Sequence, residues 1–245
     1  MALKRPLLPG TMMPHRQEES IPSLAAVGGW WNHEPPRLKP TVSRTESEAC
    51  ERMVVLAMRP LKPPDQQEQI RDILRKYHIE RLYHFTDASN WRWIQSRGGL
   101  FSLAECKRRG FSIPRPGGDR RSARRDEMLS HDEYVHLCFH WDQPMKLRKQ
   151  RRGELGPCIV IAVKLEVMWW RDTKFSDVNA LTGVAQVGDD AATLRKIDLP
   201  TAMRGLWGNR QWQSETTKKQ VQAEVLVLGH IPRELISEWC SEKAG

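Results

Sequence analysis

At 245 residues and 39% apolar composition the chain is long enough to bury a core, and no run approaches the ~20 consecutive apolar residues of a membrane span. Five scattered cysteines without a CxxC pair, and an N-terminus lacking a signal-like apolar stretch, lead us to expect a cytoplasmic protein with reduced thiols. The formal charge of +9 is concentrated between Lys107 and Arg152, where thirteen basic residues stand against six acidic ones, a footprint for a polyanion that also describes a solvated arginine-rich surface.

Residues 1–64 hold ten of the sixteen prolines and no sustained period, so we expect a disordered or loosely packed extension ahead of a domain over residues 65–245. Pro63-Pro64-Asp65 opens a helix whose apolar face is Ile70, Ile73 and Leu74. A strand follows at Arg81 to Phe85, then a helix from Asn90 to Arg97 stopped by Gly98-Gly99. Ser102 caps a short helix ending at Gly110, and Phe111 to Gly118 reads as a loop. An arginine-rich segment leads to a strand at Tyr134 to Phe139, after which Pro144 opens a helical turn. Cys158 to Leu165, a continuous apolar run, predicts a central strand, with a weaker one at Thr173 to Asp177. A long polar loop carries Trp207 and Trp212, the strand Gln222 to Leu228 follows, and Pro232 to Trp239 is expected to be a helix. Strands and helices mix without βαβ alternation, which predicts an α+β fold.

The strand Gln222 to Leu228 sets one carboxylate, Glu224, at the start of an apolar run, with Gln222 projecting to the same side. Such a carboxylate either faces water at a sheet edge or is kept for a purpose. His131, His136 and His140 lie close together, but His136 and His140 flank a strand and no cysteine or histidine set completes four ligands, so no metal is expected. GxGxxG, P-loop, HExxH and GxSxG motifs are absent.

Three blocks remain: Leu82-Tyr83-His84-Phe85-Thr86 with Asn90 and Gly98-Gly99-Leu100; Tyr134-Val135-His136-Leu137-Cys138-Phe139 with Pro144-Met145; and Gln222-Ala223-Glu224-Val225-Leu226-Val227. In this order they resemble the DarT family of bacterial toxins, ADP-ribosyltransferases acting on bases of single-stranded DNA. Family members show a Tyr-His-x-Thr strand, a Tyr-Val-x-x-x-Phe strand followed by a Pro-Met turn, and a late Ala-Glu-x-Leu-Val strand. The resemblance spans about residues 80–236.

It implies an ADP-ribosyltransferase-like split mixed β-sheet with flanking helices, gripping NAD as substrate in a cleft. Glu224 then matches the catalytic glutamate, and Gln222-x-Glu224 the wider Gln-x-Glu form. His84, Thr86, Asn90 and Met145 match NAD-binding positions. An arginine before the Tyr134 strand is expected to contact NAD phosphate and assist catalysis; Arg121 is the better match and Arg125 its rival. Trp207 or Trp212 is expected to stack on the target base, with Arg125 also on the DNA side. The chain departs from the family where many members carry Tyr-Val-Pro-Phe-Tyr-Phe: Cys138 replaces a site-lining aromatic, which suggests a branch distinct from the best-known thymidine-modifying members. A self-damaging DNA modification further implies a cognate antitoxin of the ADP-ribosylglycohydrolase type. The rival readings are the same chemistry on RNA or protein, and a non-catalytic nucleic-acid-binding module.

Overall fold

The computed structural model describes residues 59–117, 120–208 and 214–239, without the side chains of residues 120–123, 206–208 and 238–239. Helix α1 (Pro64–Lys76) starts at a proline, whose missing N–H is not needed in the first turn. It ends on Arg75 and Lys76, which suit the negative end of the helix dipole. Its Ile70, Ile73 and Leu74 are buried, as their spacing predicts.

After α1 come β1 (Leu82–Asp87), α2 (Asn90–Arg97), β2 (Gly99–Phe101), α3 (Leu103–Arg108), α4 (Arg120–Met128), β3 (Tyr134–Cys138) and α5 (Pro144–Arg151). The second half holds β4 (Cys158–Val163), β5 (Lys174–Ser176), β6 (Val187–Gly188), α6 (Ala191–Lys196), α7 (Leu199–Gly208), α8 (Glu215–Gln220), β7 (Glu224–Leu228), β8 (His230–Pro232) and β9 (Ile236–Trp239). Seven strands form one sheet in the order β6-β5-β7-β3-β1-β4-β9, every neighbouring pair antiparallel; β2 and β8 form a separate ribbon. The mixed α+β fold class is the one expected.

The core lies against the sheet face that carries Val135, Leu137, Val225 and Val227, under α1, α2 and α6. Phe175, Leu82, Ile161 and Leu194 are fully buried there, and removing each from water contributes ~1.5–3 kcal/mol. Gly98 ends α2 in the left-handed conformation at φ 86°, the stop expected of it. Ser102 caps α3 by accepting from the amide of Glu105 at 3.1 Å.

Packing is already present ahead of Pro64. Arg59 lies over the Trp170 ring at 4.3 Å and donates to the carbonyls of Leu228 and His230. Lys62 is buried, its ammonium donating to the carbonyls of Arg171 and Thr173.

Three expectations need correction. The Pro232 to Trp239 segment is not a helix: β8 ends at Pro232, a 3-10 turn covers Arg233–Leu235, and β9 pairs with β4 from Ile236. The open edge of β4 takes this last strand, so tertiary pairing overrides local helical propensity. The long polar loop is broken by α6, α7 and α8. The strand carrying Glu224 begins at that residue, with Gln222 in the preceding turn.

One irregularity shapes the site. β1 pairs with β4 along its whole length, from Leu82 opposite Val163 to Asp87 opposite Cys158. On its other side it pairs with β3 at a single position, Tyr83 opposite Cys138. Beyond Tyr83 the two strands part, and the sheet opens.

Candidate active site

A cavity of about 540 Å³ sits at that opening, within the roughly 300–1,000 Å³ of small-molecule sites. Glu224 lies on its wall as the first residue of β7, between Cys138 of β3 and Ser176 of β5. Its Oε2 accepts from the amide of Ala180 at 2.9 Å and from His136 Nδ1 at 3.3 Å. Among the described residues both bonds fall on the same oxygen, which leaves Oε1 for a ligand.

His84 lines the cavity from β1, and its Nδ1 donates to the carbonyl of His136 at 2.9 Å. The side chain thus replaces a ladder hydrogen bond lost where β1 and β3 part. Burial holds the His84 pKa below its ordinary value, so the ring is neutral and Nε2 is an acceptor.

Thr86 and Asn90 also line the cavity and are bonded to each other, Asn90 Nδ2 to Thr86 Oγ1 at 2.9 Å. Asn90 further donates to the carbonyl of Arg115 at 2.7 Å and accepts from its amide at 3.0 Å. Its side chain therefore fastens the Phe111 to Gly117 loop to β1. Asp87, buried beside it, accepts from the amides of Ser89 and Gly156, and its carboxyl is held below the usual range by the Ser89 hydroxyl and amide.

Opposite β1, Met145 and Lys149 reach the cavity from α5, one helical turn apart. Lys149 is anchored by a bond to the carbonyl of Gly117. Gln222 lines the wall beside Glu224 and donates to the carbonyl of Lys218 at 2.6 Å. Cys138 lies directly across from Glu224; its Sγ donates to the carbonyl of Tyr83, and burial pushes the thiol pKa far up, so it stays protonated and inert at neutral pH.

Glu224, His84, Thr86, Asn90 and Met145, drawn from three separate sequence blocks, thus surround one cavity. Arg125 is exposed on α4 and is not among the residues lining it. The Arg121 and Trp207 side chains, and all of Trp212, lie outside the described residues. His136, Asp126 and Asn179 line the cavity without having been singled out for this site. The period-2 alternation of β3, which sends Val135 and Leu137 to the core, was the available signal for His136. Among the described residues no group of three or more His, Cys, Asp or Glu could hold a metal ion, and no helix is long and apolar enough to cross a membrane.

The sequence profile of the family described as ssDNA thymidine ADP-ribosyltransferase, DarT, matches residues 83–244. Among solved structures, Thermus sp. 2.9 DarT in complex with ADP-ribosylated ssDNA aligns with a TM-score of 0.55 at 16% identity, covering 67% of this chain and 84% of that one. Thermosipho africanus DarTG in complex with ADP-ribose aligns with a TM-score of 0.51 at 21% identity, covering 64% of this chain and 43% of that one. At these identities the likeness is one of fold. No curated protein matches the chain.

Proposed function

The chain belongs to the DarT family of ssDNA thymidine ADP-ribosyltransferases, and on that premise we propose how its cavity carries out the transfer. The protein is an NAD-dependent enzyme that attaches ADP-ribose to a base of single-stranded DNA and releases nicotinamide. NAD enters the opening between β1 and β3, with its nicotinamide end beside His84 and Thr86 and its length along the wall that carries Met145. Breaking the nicotinamide–ribose bond sends the bonding electrons to nicotinamide and leaves positive charge on the sugar. Glu224, with Oε1 unengaged, stabilises that charge more strongly in the transition state than in the ground state. A base nitrogen then bonds to the ribose carbon, and its proton passes to Glu224.

The observation that carries this reading is the convergence of Glu224, His84, Thr86 and Met145 on one cavity of suitable size. Arg121 is the proposed phosphate-binding arginine, with Arg125 as its alternative. Trp207 or Trp212 is the proposed stacking partner of the target base.

Helix α5 is the proposed track for the strand. It contains no buried residue yet carries Lys146, Arg148, Lys149 and Arg151, so core packing does not account for its composition. Trp141 stands just ahead of it, its ring stacked on His140 at 5.3 Å and under the Lys146 ammonium at 5.1 Å. The catalytic domain is proposed to run over residues 65–245, with the Arg59 to Lys62 segment strapped to it. We assign the enzyme to the cytoplasm, in keeping with free Cys106, Cys138 and Cys158 among the described residues. We also assign it a cognate antitoxin of the ADP-ribosylglycohydrolase type, because unreversed modification would block the cell's own DNA.

The test is incubation with labelled NAD and single-stranded oligonucleotides, with and without thymidine, followed by mass spectrometry of the product. Transfer by the wild type and its loss in Glu224→Ala are expected. No transfer by the wild type, or label that only ribonuclease or protease removes, would overturn the reading.

A further inference from the structure

The His136 ring lines the cavity next to Glu224. Both ring nitrogens meet oxygen atoms. Nδ1 faces Glu224 Oε2 at 3.3 Å; Nε2 faces the carbonyl of His131 at 3.3 Å and Asp126 Oδ1 at 3.8 Å. The His131 carbonyl and an ionised Glu224 carboxylate only accept, and a neutral imidazole has a single N–H, so satisfying both sides requires the doubly protonated ring; Asp126, whose own carboxyl is pushed up by burial, adds an ionic contact rather than a hydrogen bond.

The electrostatics agree. Burial opposes charge on His136, but Glu224 and then Asp126 outweigh it and raise its pKa to about 9. Among the described residues the other charged or titratable groups near this cluster are His84 on β1, His131 and Asp132 in the 3-10 turn before β3, Cys138 on β3, Lys149 on α5 and Lys174 on β5. His84 and His131 have pKa values lowered by burial and by the His136 charge. Among the described residues, His136 is therefore the imidazole of this cluster that stays cationic at neutral pH.

We propose that His136 is a positioning residue for Glu224: an ionic bracket that ties the catalytic carboxylate to Asp126, and so to the arginine-bearing helix α4. The proposal rests on the reading of Glu224 as the catalytic carboxylate. With Oε2 held by His136 and by the Ala180 amide, Oε1 is left at a fixed angle to the ribose. The bracket also joins the two elements on which the transfer depends, β7 with its carboxylate and α4 with Arg121 and Arg125.

Imidazole NMR of the full chain tests the coupling directly. The His136 ring is expected to titrate near pH 9 in the wild type, and at least about one pH unit lower in Glu224→Gln. In steady-state transfer to a single-stranded oligonucleotide, His136→Gln is expected to lower kcat by roughly tenfold to a hundredfold. It should leave KM for NAD within about twofold of wild type. The wild-type fall in activity as pH rises through about 9 should be absent from its profile. Asp126→Asn, which removes the far end of the bracket and keeps Glu224 and His136, should show a smaller loss of the same kind. Circular dichroism confirms that the variants are folded. A His136 ring that titrates at the same pH in wild type and Glu224→Gln overturns the proposal, as does a His136→Gln pH profile superimposable on that of the wild type. Full transfer by Glu224→Ala overturns instead the catalytic reading of Glu224, a result distinct from an uncoupled His136.

Discussion

The His84 imidazole donates to the carbonyl of His136 at 2.9 Å, across the gap where β1 and β3 stop pairing. One side chain thereby closes the backbone account of a split sheet and presents its second nitrogen to the cavity. His84→Ala removes both functions. The buried carbonyl loses its donor, at a cost of ~1–3 kcal/mol, which chemical denaturation would register. KM for NAD is expected to rise about tenfold, the loss of one good hydrogen bond with its positioning. His84→Asn retains a donor near the carbonyl and should recover part of the stability.

Most helices and strands of the first half were legible because their signals are local, whereas the helix Arg120–Met128 and the short strand Gly99–Phe101 were not foreseen. Ile70, Ile73 and Leu74 repeat at helical spacing, Gly98 supplies a left-handed stop and Ser102 a cap. The C-terminal segment was not, because β9 owes its form to an open edge on β4 that no window of sequence contains. The same division holds within the site. Glu224 announced itself as a carboxylate in an apolar run, whereas Asp126 and Asn179 matter only through folding that brings α4 and the β5–β6 connection to the cavity. His136 lay in plain view on an alternating strand. Its main partner, Glu224, lies 88 residues away, so its charge could not be read.

Gly205 offers a test of how the segment bearing Trp207 is held. It has φ 58° inside the span of α7, and a Cβ there would lie 2.1 Å from His140 Nδ1. That ring cannot easily yield, since its Nδ1 accepts from the Asp142 amide at 3.0 Å. Gly205→Ala should therefore cost at least ~1–2 kcal/mol from the backbone conformation alone, and more from the overlap. Transfer to DNA is expected to fall by a larger factor than nicotinamide release into water, because the substitution acts on the proposed base-recognition segment rather than on NAD. Parallel assays of the two products check this.

Acid should weaken the fold through His230. Its Nδ1 lies 3.2 Å from an Arg59 guanidinium nitrogen, so the ring must be neutral and accept there. Burial first, then Arg59 and Arg109, push its pKa down to about 4. The folded state thus resists a proton that the unfolded chain takes up at about 6.5. The stabilisation is complete above that value and is lost as pH falls through about 4. His136 has the opposite sign: its contribution is complete below about 6.5 and disappears as pH rises through about 9. Stability should therefore peak between these limits. Denaturation midpoints across pH 4 to 10 check the shape. His230→Gln should flatten the acid side and His136→Gln the alkaline side.

The proposed DNA track on α5 can be separated from the chemistry by charge reversal at Arg148 and Arg151. Both belong to a helix with no buried residue, and neither lines the cavity. If each neutralises one phosphate, Arg148→Glu with Arg151→Glu should reduce the slope of log affinity against log salt by roughly 1.4, at about 0.7 per contact on a single strand. Affinity at low salt should fall by at least tenfold, while KM for NAD and the rate of nicotinamide release without DNA remain those of the wild type. Fluorescence anisotropy with a labelled oligonucleotide at several salt concentrations gives the slope. An unchanged slope would remove α5 from the path of the strand and shift attention to the arginines of α4.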